Sequence, residues 1–115
     1  MVSNKITEQV KFHEELISCQ KLVKLNSNNA AAHYNLGVIL QKVGKLKEAE
    51  IGYKKAIEIK HNFIEAYYNL ANTQRKLGKL DEAEVNYKKT LKINPIFTEA
   101  YYNLGNTLKD LGKLD

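Results

Sequence analysis

One cysteine, Cys19, stands alone in 115 residues, so the chain forms no internal disulfide, and with no second thiol beside it cannot build a zinc knuckle. Stability has to come from packing. No apolar run approaches the ~18 residues that cross a bilayer, which excludes a helical membrane span. The first ten residues show no basic start, continuous apolar stretch or small-residue cleavage site, so nothing visible there directs export and a cytoplasmic setting is expected. Arginine is reduced to Arg75, and the formal charge of +5 comes from lysine. Because Lys54-Lys55 and Lys88-Lys89 stand among Glu48, Glu58, Glu82 and Glu84, the pattern is that of solvated helix faces, and a nucleic-acid partner is not expected. At this length there is room for one small domain or part of a larger one, not for a two-domain enzyme.

What is present is a repeat. Residues 30–63 and 64–97 match at sixteen of thirty-four positions without a gap, and a third copy opens at Thr98, where Glu99-Ala100-Tyr101-Tyr102-Asn103-Leu104 echoes Glu65 to Leu70. Upstream, Cys19 to Leu25 aligns with Tyr53 to Ile59. The expected organisation is an N-terminal capping helix over 1–29, whole repeats at 30–63 and 64–97, and the first helix of a further repeat at 98–115.

Within each copy the apolar positions follow helical spacing: Leu36, Ile39, Leu40 and Val43, then Leu46, Ala49, Tyr53, Ala56 and Ile57. Two helices per repeat follow, joined at Gly44-Lys45, Gly78-Lys79 and Gly112-Lys113, where glycine can take the left-handed conformation that ends a helix. So short a turn makes the pair antiparallel. Asn94-Pro95, with the only proline, closes the second repeat. Gly37, Ala71 and Gly105 are the small residues at which first helices are expected to meet Ala49 and Ala83 of second helices. Each pair has two apolar sides and must stack on its neighbours, so the fold class is all-α, a right-handed α-solenoid of antiparallel helix pairs. Thr7 to Leu25 reads as one longer helix packed on the first full repeat.

The run Tyr-Asn-Leu-Gly at 34–37, Gly-Lys-Leu-x-Glu-Ala at 44–49 and 78–83, Tyr53, Tyr87 and Pro95 resemble the tetratricopeptide repeat over about residues 20–115. The departures are His61 for the usual proline, His33 for a bulky aromatic, and Thr90 where the other copy has Ala56. The asparagine before the Leu-Gly pair is also similar to the ladder in the tetratricopeptide arm of the O-linked N-acetylglucosamine transferase. That resemblance implies backbone contacts to a threaded peptide from Asn35, Asn69 and Asn103.

No catalytic constellation is present, so no enzyme activity and no cofactor are expected. His13, His33 and His61 lie on different parts of the repeat with no second ligand a turn away, so no metal site is expected, and His33 reads as a packed structural residue. Cys19 falls in the register of Tyr53 and Tyr87, where a buried, inert thiol is expected. The Gly-Lys pairs fail as a phosphate loop, since Ile39 stands where the first loop glycine would be and Leu46 where serine or threonine is required. The carboxylates read as helix-surface charges.

The partner expected is a protein or peptide held in the concave groove lined by the first helices. Asn35, Asn69 and Asn103 share one register, and Asn72 and Asn106 lie three residues on along the same face. A carboxamide offers both a donor and an acceptor to an extended backbone; the competing role is to tie neighbouring repeats together. Tyr34, Tyr68 and Tyr102, one residue earlier, either project into the groove or cover the joint between repeats. The lysine- and arginine-based carboxylate clamp of chaperone-tail binders is not matched, because Tyr34, Val38, Glu99 and Asn103 stand in its places. The alternatives are an N-terminal substrate-positioning arm of a larger glycosyltransferase or sulfotransferase, and self-association through the uncovered last helix, which carries Leu104, Leu108 and Leu111.

Overall fold

The computed structural model describes residues 2–113, with side chains from residue 4 onward; the repeat positions at Leu114 and Asp115 lie outside the described residues. Among the described residues six helices run in order: α1 Val2–Leu25, α2 Ala30–Lys42, α3 Leu46–Ile59, α4 Ile64–Lys76, α5 Leu80–Ile93 and α6 Thr98–Asp110. The first begins five residues before the Thr7 start read from sequence, since nothing between Val2 and Thr7 is a glycine or proline that would stop it.

The turns are built as the glycines suggest. Gly44, Gly78 and Gly112 have φ of +85°, +79° and +73°, and each closes the preceding helix the same way. The amide of Gly44 donates to Gln41 and that of Lys45 to Leu40, with the equivalent pairs after α4 and α6. This double bond satisfies carbonyls that the helix end would otherwise leave open. At the other joint Asn29 caps α2 by accepting from the Ala32 amide at 3.0 Å. Phe63 and Phe97 hold the same place before α4 and α6 with no side-chain cap.

Each helix packs on the next, and the backbones of the first helices α2, α4 and α6 also come close to one another in succession, whereas those of α1, α3 and α5 stay further apart. The array therefore curves, with first helices inside and second helices outside, an α-solenoid 44 × 39 × 23 Å in extent. Its core is periodic: Tyr53 and Tyr87, wholly buried, sit with Ala49 and Ala83 between the helices of each pair.

The close approach in the first pair differs from the glycine-on-alanine contact expected. A Cβ at Gly37 would lie 2.7 and 2.8 Å from ring carbons of Tyr53, and one at Gly52 would lie 3.3 Å from the Gly37 backbone. It is the Tyr53 ring, and not Ala49, that requires a glycine at 37, while the Gly37 backbone leaves little room for a side chain at 52. At the equivalent Gly105 a Cβ would meet nothing within 4 Å. Two substitutions in one register should thus act with opposite sign. Gly37→Ala is expected to destabilise by about 1–3 kcal/mol through overpacking, and Gly105→Ala to stabilise by about 0.5–1 kcal/mol because alanine is the better helix former. Urea unfolding of the two variants checks this, and equal shifts would contradict the packing described.

The reading of the carboxylates as surface charges is corrected at two positions. Glu50 and Glu84 are only 5% and 9% exposed. Lys79, in the turn of the following repeat, reaches back to Glu50 at 2.8 Å, and Lys113 does the same to Glu84 at 2.7 Å. Burial favours the neutral acid at Glu50, but the hydrogen bonds from Lys79 and Gln74 outweigh it and hold the carboxyl below its ordinary range. At two of the three Gly-Lys turns the lysine thereby fastens its repeat to the one before.

Candidate functional site

The inner surface is built by one face of α2, α4 and α6, and the asparagine register lies on it. Asn69 Nδ2 donates to Tyr34 Oη at 2.9 Å, and Asn103 Nδ2 donates to Tyr68 Oη at 2.9 Å. Each asparagine is thus tied to the tyrosine of the preceding repeat, thirty-five positions earlier. Those tyrosines are wedges. The Tyr34 ring lies 5.8 Å from Tyr53 and 4.9 Å from Phe63, and the Tyr68 ring 6.1 Å from Tyr87 and 4.8 Å from Phe97. Phe63 and Phe97 stand immediately before α4 and α6, the first helices of the next repeats, so both half-buried rings cover the joint and present only the hydroxyl to the inner face. Burial pushes the Tyr34 phenol above its usual range.

One turn along, Asn72 is held through its oxygen. It accepts from Tyr87 Oη and, at 3.2 Å, from Asn103 Nδ2. Gln41 takes the corresponding bond from Tyr53 at 2.7 Å. The floor of the groove between α2, α4 and α6 is a hollow of about 490 Å³ lined by Gln41, Asn72, Arg75, Lys76, Tyr87 and Asn103. Arg75 stands 3.8 Å from Asp110 across it. Asn35 is exposed and faces α1 across a second hollow that includes Glu15, Ser18 and Lys42. Asn106 is half-buried, and Tyr102, at 73% exposure, has no following repeat against it among the described residues.

The carboxamides are therefore half used. Among the described residues the stack engages Nδ2 of Asn69 and Asn103 and leaves Oδ1 free, engages Oδ1 of Asn72 and leaves Nδ2 free, and makes no hydrogen bond to the side chains of Asn35 or Asn106. Such a surface can accept from and donate to a peptide backbone at several points without titrating. Sequence reasoning missed the part played by Tyr53 and Tyr87, whose hydroxyls orient Gln41 and Asn72. The signal available was a tyrosine, in place of phenylalanine, at a wholly buried position, since a buried phenol needs a partner.

The remaining candidates fall away from the groove. His33 is buried and its Nε2 meets the Ser27 carbonyl at 2.8 Å; Tyr67, thirty-four residues on, donates to the His61 carbonyl at the same register. Histidine thus fills a repeat position whose task is to tie down the preceding loop. Cys19 is half-buried, less than expected, and burial with the nearby Glu15 pushes its thiol upward, away from the reactive thiolate.

The sequence profile described as Tetratricopeptide repeat matches residues 30–63 and 64–97, and a second profile of the same description matches 86–115. The chain belongs to the tetratricopeptide-repeat family. A search of curated proteins returns no match. Among solved structures this tetratricopeptide-repeat chain is similar to MamA, at 30% identity and a TM-score of 0.83, over 85% of this chain and 57% of that one. It therefore spans little more than half the length of that relative. YrrB, described as a tetratricopeptide-repeat protein with an unusual peptide-binding site, matches at 26% identity and a TM-score of 0.75 over 83% of this chain and 49% of its own. The first such domain of Spaghetti (RPAP3), solved with an HSP90 peptide, shares the fold at a TM-score of 0.87 and 24% identity, over 95% of this chain and 86% of that one.

Proposed function

We propose that the chain is a protein-interaction scaffold whose concave groove takes an extended peptide by its main chain, and that it performs no chemistry itself. The observation that supports this best is the row of carboxamides at Asn35, Asn69, Asn72, Asn103 and Asn106. Asn69, Asn72 and Asn103, fixed on their engaged side by the stack, present donors and acceptors to the groove at little ordering cost, and Asn35 and Asn106 add carboxamides that the stack does not engage. The likeness of this register to the ladder of the O-linked N-acetylglucosamine transferase arm, and the peptide-binding site named for YrrB, favour the same reading. The tyrosines contribute by setting the asparagines: Tyr34 and Tyr68 offer the ligand no more than a hydroxyl, and Tyr102 its exposed ring.

Asn35 and Asn106 separate binding from stability, because neither hydrogen-bonds the stack. With a fluorescent peptide selected from a random extended library as probe, Asn35→Ala combined with Asn106→Ala is expected to weaken binding about tenfold, the equivalent of ~1.4 kcal/mol. The melting temperature should stay within about 2 °C, as for other substitutions that break no packing or hydrogen bond. Unchanged affinity would return the groove to a purely structural surface. A substrate-positioning arm of a larger enzyme would use the same groove. Association through α6 is favoured by the open space at Gly105 and the exposure of Tyr102.

A further inference from the structure

Gln41, Arg75 and Lys109 share one register, in the last turns of the first helices α2, α4 and α6. A cation there has an ordinary use against the helix dipole, and Lys109 at the end of α6 serves it. Arg75, the only arginine of the chain, is placed for more than that. Burial raises the Tyr87 phenol, and Arg75, hydrogen-bonded to it, works against that rise. The guanidinium therefore lies on the floor of the groove, in the hollow of about 490 Å³ between α2, α4 and α6. It carries five N–H donors. Among the described residues its one acidic neighbour is Asp110, which at 3.8 Å stands beyond hydrogen-bond reach, and the adjacent Lys76 pairs with no carboxylate.

The buried tyrosines give the rest of the hollow its sign. Tyr87, which accepts from Arg75, gives its own proton to Asn72 Oδ1, and Asn103 Nδ2 donates to the same oxygen at 3.2 Å. Gln41 Oε1 accepts from Tyr53 at 2.7 Å. What these two carboxamides have left to offer is N–H. Gln41, Asn72, Arg75 and Lys76 thus line the hollow with donors, two of them charged, while Asn103 keeps Oδ1 for a main-chain N–H. A neutral peptide carbonyl uses one or two of those donors. An ionised carboxylate, which only accepts and has about four lone-pair sites, can use them all.

We propose that the hollow at Arg75 is a subsite for a carboxylate side chain, aspartate or glutamate, of the peptide lying in the groove. The inference rests on the peptide-groove reading and adds to it the charge of the ligand. The guanidinium takes the carboxylate through paired N–H···O bonds, Gln41 and Asn72 donate beside it, and Lys76 adds a second positive charge. Asp110 is the groove's own competitor for Arg75, held too far away to occupy it. A side chain is assigned, and not the peptide's terminus, because Asn103 lines the same hollow. A main chain resting on its Oδ1 runs on in both directions and turns one side chain onto Arg75. The two cations stand in none of the carboxylate-clamp places, which hold Tyr34, Val38, Glu99 and Asn103.

The test uses the 115-residue chain and two pools of short peptides, labelled with fluorescein at the N-terminus and amidated at the C-terminus. The pools are randomised over neutral residues and differ only in a central glutamate or glutamine. Fluorescence anisotropy is expected to show the glutamate pool bound about tenfold more tightly, by a margin that shrinks with added salt. Arg75→Gln should abolish the preference with circular dichroism unchanged, since glutamine already fills this register at Gln41. Lys89→Gln, on the exposed surface of α5, removes the same charge and should leave the preference intact. Asp110→Asn should raise affinity for the glutamate pool about threefold by removing a competing carboxylate. A preference that survives Arg75→Gln, or is lost equally in Lys89→Gln, would overturn the proposal. So would a glutamine pool with a free C-terminus that binds as tightly as the glutamate pool. Pools bound equally, and both weakened by Asn35→Ala with Asn106→Ala, would leave the peptide groove standing without this subsite. Absence of saturable binding by either pool at about 100 μM protein, a weak-complex limit, would remove both.

Discussion

Tyr53→Ala is expected to destabilise the chain by about 3–5 kcal/mol, the range for deleting a buried aromatic ring. Tyr53 is wholly buried and belongs to one core cluster with Leu16, Ile39, Leu40, Ala49 and Leu70, drawn from four different helices. Its ring also fills the space left by the missing Cβ of Gly37. Tyr53→Phe keeps the ring and loses only the bond to Gln41, and should cost about 1 kcal/mol. Chemical denaturation followed by circular dichroism measures both. An alanine variant that loses under 1 kcal/mol, or a phenylalanine variant as damaged as the alanine one, would contradict the packing described. The same burial has an alkaline consequence. Both buried phenols are pushed up, Tyr87 to about 12, so their contribution is complete below the ordinary phenol value of about 10 and is lost as pH rises through the raised values. Phenolate absorbance of these two tyrosines should therefore appear together with unfolding.

The fold was legible because a thirty-four-residue period leaves few choices. Once Gly44 and Gly78 mark the turns, the spacing of Leu36, Ile39 and Leu40 fixes which face goes inward. What could not be read was the partner of each polar group across the repeat joint. That Asn69 reaches Tyr34 depends on how far one pair rotates on the next, a quantity that no local pattern carries. The same holds for Glu50, which by composition looks like any helix-surface glutamate and is buried because Lys79 reaches back to it from the next repeat. Gly52 has Asn86 as its counterpart, so its close approach to the Gly37 backbone is a difference that the repeat comparison averages away.

The buried carboxylates make the solenoid acid-sensitive, and Glu50→Gln combined with Glu84→Gln should reveal it. Lys113 and Lys88 bond Glu84 at 2.7 Å and hold its carboxyl below the ordinary glutamate range; Glu50 is lowered likewise by Lys79 and Gln74 against the opposing effect of burial. A carboxyl whose value is depressed in the folded state contributes stability that is complete above its ordinary value of about 4.3 and lost as pH falls through the depressed one. At pH 7 the glutamine pair is therefore expected to melt below the parent. Towards pH 3 the parent should descend to meet it, because protonated Glu50 and Glu84 are then as neutral as glutamine. Glu58→Gln supplies the control, its side chain being 72% exposed in a loose pair with Lys55, where an ion pair contributes little. Parallel melting curves for parent and double variant across this range would mean that the lysines of the turns do not fasten one repeat to the next.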